Sequence, residues 1–371
     1  MITIKEVKSK KDLKEFIYLP SKVHKDHKNW LPPIYIDEWN FFNPKKNKSF
    51  SHSDTVLALA YSDGKVVGRI MGIINNKYNE FKNETTGRFG YLECYNDNKI
   101  FHALLNYVEN WVKQKGMNKI IGPYGFSDKD IQGFMIKGFE YPPIIDSACN
   151  FEYMIPLLEN EGYTKEIDCF ACKFDLTQNA PEIYSKIYDK VAQKKEYTLI
   201  EFTKRKELKP YIIPILELVN ETYKDLYGFV PMDHSDMVCF ADRYLPILNP
   251  NFIKAVKHEN EILGFIIGIP DMTEGIQKSK GHILPFGIFH ILRSAKKTKK
   301  LDLMLGAVKN KYQGCGFEIY MGLKLVETMK KFNYESMEIH LMLETNTKIL
   351  SWMDNINAQK IKQFRVFQKS L

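Results

Sequence analysis

A glutamine and two glycines, Gln313, Gly314 and Gly316, stand where the sequence could bind a phosphate. They follow an apolar run at residues 303–308, which has the length of a buried strand, and they precede a segment of helical periodicity that starts at residue 317. A helix N-terminus carries unpaired N–H groups and a positive dipole end, and glycines allow a phosphate to approach the backbone. The pattern therefore predicts an anion site. It lacks the Lys-Ser or Lys-Thr pair of a P-loop and the third glycine of a dinucleotide site, and it is also typical of an ordinary turn.

Residues 306–318 resemble the acyl-CoA-binding motif of the GCN5-related N-acetyltransferase (GNAT) superfamily. In the family pattern Gln/Arg-x-x-Gly-x-Gly/Ala, Gln313 takes the first place and Gly316 the fourth, whereas Glu318 replaces the final small residue. The resemblance implies acetyl-CoA or another acyl-CoA as cofactor and direct transfer of the acyl group to an amine. It assigns cofactor binding to Ala307, Val308, Gln313, Gly314, Cys315, Gly316, Phe317 and Asn346.

Asn346 belongs to a second family motif, at residues 344–353. It matches the asparagine that precedes the helix beside the cofactor, and it is also an ordinary N-cap candidate. Many family members carry a tyrosine seven residues later, which reprotonates the thiolate leaving group, and this sequence has Met353 there. A thioether cannot donate a proton, so the acid would be another donor, water or absent.

The implied reaction needs a base that deprotonates the amine and N–H groups that bind the oxyanion. In the family the cofactor-binding strand diverges from its neighbour, so we expect the oxyanion donor in the backbone near Ala307 and Val308. Asp302 lies earlier on the same strand and is a candidate base, although we expect it at the surface.

Residues 220–231 lead from a helix into a loop, where this fold usually places the acceptor. Glu221 is a second candidate base, and Tyr223 and Tyr227 are candidate proton donors or substrate contacts. Both tyrosines also fit the interpretation of core aromatics with solvated hydroxyl groups.

The order helix, hairpin, strand, helix, strand, helix, strand occurs twice along the chain and predicts a mixed α/β protein. It resembles two tandem GNAT-like units, each a central mixed β-sheet flanked by helices. We expect a degenerate N-terminal unit at 1–176 and a C-terminal unit with the acyl-CoA motif at 177–371, separated by turn residues at 175–181. The N-terminal loop at 91–98 has no glycine and contains acids, so it should not bind a pyrophosphate.

The composition is that of a globular chain, because 44% of its 371 residues are hydrophobic. The net charge of +8 comes from scattered lysines without a basic groove, so we expect no nucleic acid partner. The six cysteines show no disulfide pattern, and no histidine pair suggests a metal. The sequence shows neither the apolar core of a signal peptide nor an apolar run of 18 residues, and we expect a cytoplasmic protein without stable membrane insertion.

Residues 282–292 are strongly apolar and are followed by five basic residues up to position 300. A basic amphipathic segment of this kind is typical of a helix that lies on an anionic membrane, and it could also contact the adenosine phosphates. We expect a third arrangement, a lid helix packed on its own domain.

These patterns together predict an acyl-CoA-dependent N-acyltransferase, by default an acetyltransferase, that acts on an amine of a small molecule or peptide. Two alternatives stay open. Glu318 and Met353 also fit a non-catalytic protein that binds or senses CoA, and paired folds of this kind occur in aminoacyl transferases of the peptidoglycan-bridge type. Two units in one chain are compatible with a monomer.

Overall fold

The computed structural model describes residues 1–145, 147–178 and 181–371. The described chain divides into two compact units. The N-terminal unit comprises Met1–Cys169, Met272–Ser294 and Lys362–Leu371, and the C-terminal unit comprises Phe170–Asp271 and Ala295–Ile361. Both units are thus assembled from separated stretches of the chain. Residues 179–180 of the expected linker lie outside the described residues.

The first part of the chain contains seven strands and five α-helices among the described residues. In chain order they are β1 (Ile2–Glu6), α1 (Lys10–Val23), α2 (Tyr35–Phe41), β2 (Ser53–Ser62), β3 (Lys65–Asn75), α3 (Asn76–Lys82), β4 (Thr86–Cys94), α4 (Asn98–Gln114), β5 (Lys119–Gly122), β6 (Phe134–Lys137), α5 (Met154–Asn160) and β7 (Thr164–Asp175).

The second part contains six strands and seven α-helices within the described ranges. They are α6 (Glu182–Ala192), β8 (Tyr197–Glu201), α7 (Lys209–Tyr223), α8 (His234–Tyr244), β9 (Ile253–His258), β10 (Glu261–Pro270), α9 (Thr273–Ser279), α10 (Gly287–Lys297), β11 (Lys300–Val308), α11 (Phe317–Lys331), β12 (Ser336–Leu343), α12 (Thr347–Asn355) and β13 (Gln359–Ser370).

The N-terminal unit has a mixed sheet in the strand order β1-β2-β3-β4-β5-β13, and β6 also pairs with β13. The pairings are antiparallel except that of β4 with β5, which is parallel. The hairpin of β2 and β3 turns at Asp63 and Gly64, both at positive φ, as the Asp-Gly signal predicts. Helix α4 contributes buried residues such as Phe101, Leu104 and Val108 to the core of this unit.

The C-terminal unit has the strand order β8-β9-β10-β11-β12. Its pairings are antiparallel up to β11, and β11 pairs with β12 in parallel. Helix α11, which connects these two parallel strands, buries Met321, Leu325 and Met329 at helical spacing. The two units thus repeat one topology: four antiparallel strands, a helix and a parallel strand. The prediction of a mixed α/β protein with two repeated units, each with mixed strands flanked by helices, is confirmed.

Strand β13 closes the sheet of the N-terminal unit, although it is the last element of the chain. Its residues Phe367 to Ser370 pair with Gly122 to Lys119 of β5, and Phe364 and Arg365 pair with β6. Phe367 is buried in the core of that unit. The sequence order alone had suggested this strand for the C-terminal unit, because strand pairing between distant segments leaves no local signal.

Within the described residues, no helix is long and apolar enough to cross a membrane.

Candidate functional site

The loop between β11 and α11 depends on two glycines. Gly314 has φ +80° and Gly316 has φ +91°, a left-handed region that residues with a Cβ rarely adopt. The space around an added Cβ is open at Gly314, whereas at Gly316 the Cβ would lie 2.6 Å from Ile187 Cγ2 and 3.1 Å from Val191 Cγ2 of α6. Gly314 therefore leaves the backbone accessible, and Gly316 allows α6 to pack against the start of α11.

Helix α11 begins without a side-chain cap, because its N-cap residue is Gly316. The first N–H groups of a helix have no acceptor within the helix, and the aligned peptide dipoles place a partial positive charge there. The first turn is held in place by Phe317, which is buried and meets the ring of Tyr197 edge to face with centroids 4.8 Å apart. This helix end can bind a phosphate through backbone N–H groups.

Gln313 and Lys348 form a polar contact beside this loop. Gln313 Nε2 donates to the carbonyl oxygen of Val308 at 3.3 Å and to Asn310 Oδ1 at 3.1 Å. Lys348 Nζ, from the first turn of α12, donates to Gln313 Oε1 at 3.1 Å. Both side chains are exposed, so Lys348 brings a positive charge next to the candidate phosphate site. The sequence analysis missed Lys348, although its position two residues after Asn346 was a usable signal.

The equivalent helix of the N-terminal unit, α4, has an occupied N-terminus. The Asp97 carboxylate accepts hydrogen bonds from the backbone N–H groups of Lys99 at 2.7 Å and Ile100 at 3.3 Å. A carboxylate at this position satisfies the free N–H groups and repels a phosphate. This contrast between Asp97 and Gly316 gives a physical reason to assign the cofactor to the C-terminal unit.

A β-bulge separates the two halves of β11. Leu303 and Leu305 pair with the consecutive residues Gly268 and Ile267 of β10, so Met304 is the additional residue. The parallel register with β12 runs from Lys300–Ser336 to Leu303–Ile339, and β11 then continues to Val308 along β10. Residues 303–305 and 307 are only partly buried and Gly306 is exposed, although β11 lies between two strands. The second half of β11 therefore extends beyond its register with β12 and is partly accessible.

The direction of the amides identifies a candidate oxyanion donor in this half of β11. Lys309 N–H donates to the carbonyl oxygen of Leu263 at 2.7 Å, so this N–H group points toward β10. Amide directions alternate along a strand, and the N–H of Val308 therefore points away from β10 while that of Ala307 points toward it. Of the two predicted residues, only Val308 directs its N–H group to the side away from β10.

Tyr223 and Glu221, at the end of α7, lie near the same end of β11. The Tyr223 hydroxyl donates to the carbonyl oxygen of Gly306 at 3.0 Å. Glu221 Oε2 lies 3.5 Å from Lys309 Nζ, which also donates to Glu261. The hydrogen bond with Glu261, together with the charge of Glu221, raises the pKa of Lys309. The structure thus brings Tyr223 and Glu221 to the end of β11, and it places Tyr227 in the turn after α7, partly buried.

Asp302 is not at the surface, and that expectation is wrong. It is 1% exposed, and its Oδ1 atom lies 3.6 Å from Lys300 Nζ, which also lies 3.3 Å from Glu338 and 3.5 Å from Asp271. Burial alone would lower the pKa of Lys300, but these three carboxylates raise it above its ordinary range. Asp302 stands on the half of β11 that pairs with both neighbours, opposite Ile269 and Glu338, before the bulge at Met304. Its contacts are those of a buried ion cluster.

The second family motif has a structural role in this chain. The Asn346 side chain caps α12, because its Oδ1 atom accepts from Ile349 N–H at 3.4 Å. Met353 is fully buried in the core that includes Leu325, Met329 and Ile339. The position of the family's tyrosine is therefore filled by a packing residue, whereas the hydroxyl of Tyr223, on α7, contacts β11 at Gly306.

The N-terminal unit contains a cavity of about 330 Å³, which the sequence analysis did not predict. Its lining residues are His27, Lys28, Asn29, Phe139, Asn150, Phe151, Glu152 and Tyr153.

Behind the cavity, His24 links His27 to Glu93. His24 is buried, with Nε2 2.9 Å from Glu93 Oε2 and Nδ1 2.9 Å from His27 Nδ1, between the rings of Trp30 and Phe151. Burial and the neighbouring His24 lower the pKa of His27 to about 4. The spacing His24-x-x-His27 was the available signal, but the partner Glu93 is 69 positions away from His24.

The repeated topology, the bulged strand and the glycine loop are features of the GNAT fold in its tandem form. The solved structure of a tandem GNAT protein from the clavulanic acid biosynthesis pathway matches all of this chain and 98% of its own, with a TM-score of 0.58 and 10% sequence identity. The chain therefore has the GNAT fold in its tandem form, as the motif at 306–318 had suggested.

Two relatives are similar to this chain over nearly their whole length. Protein YghO of Escherichia coli K12 is 28% identical over 374 residues, which cover 98% of this chain and 94% of the relative. The bacterial ceramide synthase of Caulobacter vibrioides is 26% identical over 380 residues, which cover 100% of this chain and 98% of the relative. No protein-family model matches the chain.

Proposed function

We propose that this protein is an N-acyltransferase that takes its acyl group from acyl-CoA bound at the C-terminal unit. The observation that carries the proposal is the open N-terminus of α11, capped by Gly316 and preceded by the accessible backbone of Gly314. The corresponding end of α4 is closed by Asp97. Acyl-CoA supplies a thioester, whose carbonyl carbon can accept an amine nitrogen.

The residues around β11 have distinct roles in this proposal. The N–H groups of the first turn of α11 bind phosphate, with Lys348 adding positive charge beside them. The Val308 N–H group stabilises negative charge on the carbonyl oxygen as the C–N bond forms and the C–S bond breaks. Tyr223 is the candidate donor of a proton to the leaving sulfur, since its hydroxyl already lies at Gly306. Glu221 is the candidate acceptor of the amine proton.

A long acyl chain fits this site better than an acetyl group. Residues 303–305 and 307 of β11 are Leu, Met, Leu and Ala, and they are partly exposed. Apolar surface of this kind stabilises a bound hydrocarbon chain. One relative that covers the whole chain is named a ceramide synthase, and a ceramide is the amide of a fatty acid and a long-chain amine. We therefore propose a fatty acyl-CoA as donor and a long-chain amine as acceptor.

A matched pair of variants at Gly314 tests the cofactor site. Asn and Asp both tolerate a left-handed conformation and have nearly the same shape, so Gly314→Asn and Gly314→Asp differ mainly in charge. Saturating CoA at about 100 times its Kd stabilises the wild type by roughly 2.7 kcal/mol, which corresponds to a rise in Tm of about 5–10 °C. We expect the Asn variant to keep this shift and the Asp variant to lose it. An equal shift in both variants would place the phosphates elsewhere.

Turnover distinguishes an enzyme from a protein that only binds CoA. We expect purified protein to release free CoA thiol from palmitoyl-CoA when a long-chain amino alcohol such as sphinganine is present. A CoA-dependent Tm shift without thiol release or amide product, across short and long acyl-CoA and several amines, would favour the non-catalytic alternative. The observation that supports this alternative is the burial of Met353 in the core, at the position where many family members carry the tyrosine that donates a proton.

A further inference from the structure

Helices α9 and α10 form a hairpin that is firmly packed on its inner side. A Cβ at Gly275 of α9 would lie 2.6 Å from the backbone of His290 and Ile291 in α10, so the two helices approach too closely for any side chain there. Gln277 Nε2 donates to the carbonyl oxygen of Trp30 at 3.1 Å, and Tyr35 N–H donates to the carbonyl oxygen of Gly281 at 3.0 Å. These contacts fix the hairpin to the N-terminal unit.

The outer side of the same hairpin exposes four large apolar side chains. They are Leu284 (74% exposed), Phe286 (71%), Phe289 (66%) and Leu292 (50%), which we call the apolar patch. By contrast Gly287 and Ile291, on the opposite side of α10, are buried. The expected lid helix packed on its own domain thus has a face that the domain does not cover. Exposed apolar clusters of this size mark a surface that binds a partner.

The charges around the apolar patch identify the partner. Arg293, Lys296 and Lys297 follow Phe289 and Leu292 on α10, and all three are exposed. Lys280 precedes the patch, and no Asp or Glu occurs between Glu274 and Asp302. Apolar side chains flanked by cations alone are complementary to a bilayer that combines hydrocarbon with anionic headgroups.

A second copy of this chain fits the surface less well. In a symmetric dimer the same patch would meet itself, and the Arg293 and Lys296 side chains of the two copies would face each other without a carboxylate on the segment. We propose that the apolar patch and its flanking cations dock the protein on an anionic lipid surface. This inference does not require acyl transfer, although docking would bring the protein to a surface that holds long-chain substrates.

Vesicle binding by the full chain tests the proposal. We expect wild type to co-sediment with vesicles of phosphatidylcholine and phosphatidylglycerol, and to bind vesicles of phosphatidylcholine alone at least tenfold more weakly. Phe286→Ser with Phe289→Ser should weaken binding to the anionic vesicles at least tenfold. Arg293→Gln with Lys296→Gln and Lys297→Gln should weaken it as well, and should reduce its sensitivity to salt.

A matched control removes two exposed apolar residues outside the patch. Phe81→Ser with Ile183→Ser should bind vesicles as wild type does, since both residues are exposed on other helices. All variants should melt within a few degrees of wild type, because the substituted side chains are exposed. The proposal is overturned by absence of wild-type binding to anionic vesicles, or by equal binding of the Phe286/Phe289 variant. It is also overturned if wild type forms a dimer that the Phe286/Phe289 variant does not form, and wild type does not bind vesicles.

Discussion

At the scale of single residues, the histidine chain of the N-terminal unit makes stability depend on pH. The pKa of His27 in the folded protein is about 4, below its ordinary value of 6.5, because burial and His24 oppose its protonation. Between these two values the unfolded chain binds a proton that the folded chain does not. The stabilisation is therefore complete above pH 6.5 and is lost as the pH falls toward 4.

A His27→Gln variant should be less sensitive to acid than wild type. Its Tm should fall less than that of wild type between pH 7.5 and pH 5, because a glutamine does not titrate. His102→Gln is the matched control, since His102 is an exposed histidine beside the carboxylate of Glu161 and should retain the wild-type slope. Differential scanning fluorimetry across this range measures the slopes. Identical slopes for wild type and His27→Gln would assign the acid sensitivity to other groups.

At the scale of elements, the loop that precedes α11 allows the free-energy cost of backbone strain to be measured separately from the cost of overpacking. Gly314 and Gly316 share a left-handed φ, but only Gly316 has a neighbour, Ile187, within 3 Å of an added Cβ. Gly314→Ala should reduce the free energy of unfolding by about 1–2 kcal/mol through conformation alone. Gly316→Ala should cost a further ~1–3 kcal/mol through overpacking against α6. Urea unfolding measures the loss of stability in both variants. Equal losses would show that α6 moves away from the added Cβ without a cost in free energy.

The elements that could be predicted from the sequence are those with local signals. Asp63-Gly64 specified its hairpin, and the strand, glycine loop and helix around Gly316 were predicted from periodicity and turn residues. Asp302 was misplaced because charged residues are usually exposed, yet Lys300 stands two positions earlier and so on the same face of the strand. The accessibility of the second half of β11 could not be predicted, because it depends on the bulge at Met304 and on where the register with β12 ends.

At the scale of the whole molecule, the sequence order conceals how the N-terminal unit is completed. Residues 362–371 belong to it, and β13 pairs with both β5 and β6. Without this strand, β5 would be left with an unpaired edge and the core would lose Phe367. The pairing partner lies more than two hundred positions away in sequence, so no local pattern could indicate it.

This arrangement predicts that a fragment cut at the expected boundary is incomplete. Residues 1–176 alone should show no cooperative thermal transition and should aggregate, because the edge of β5 is exposed and the place of Phe367 is empty. The same fragment with residues 359–371 joined to it through a flexible Gly-Ser linker should regain a cooperative transition. Replacing Phe367 by Asp in the joined fragment should abolish the recovery, since a charge cannot be buried there without a partner. Circular dichroism and size-exclusion chromatography measure these outcomes. If residues 1–176 alone melted cooperatively as a monomer, β13 would contribute little to the N-terminal unit, and the boundary expected from the sequence would describe two independent domains.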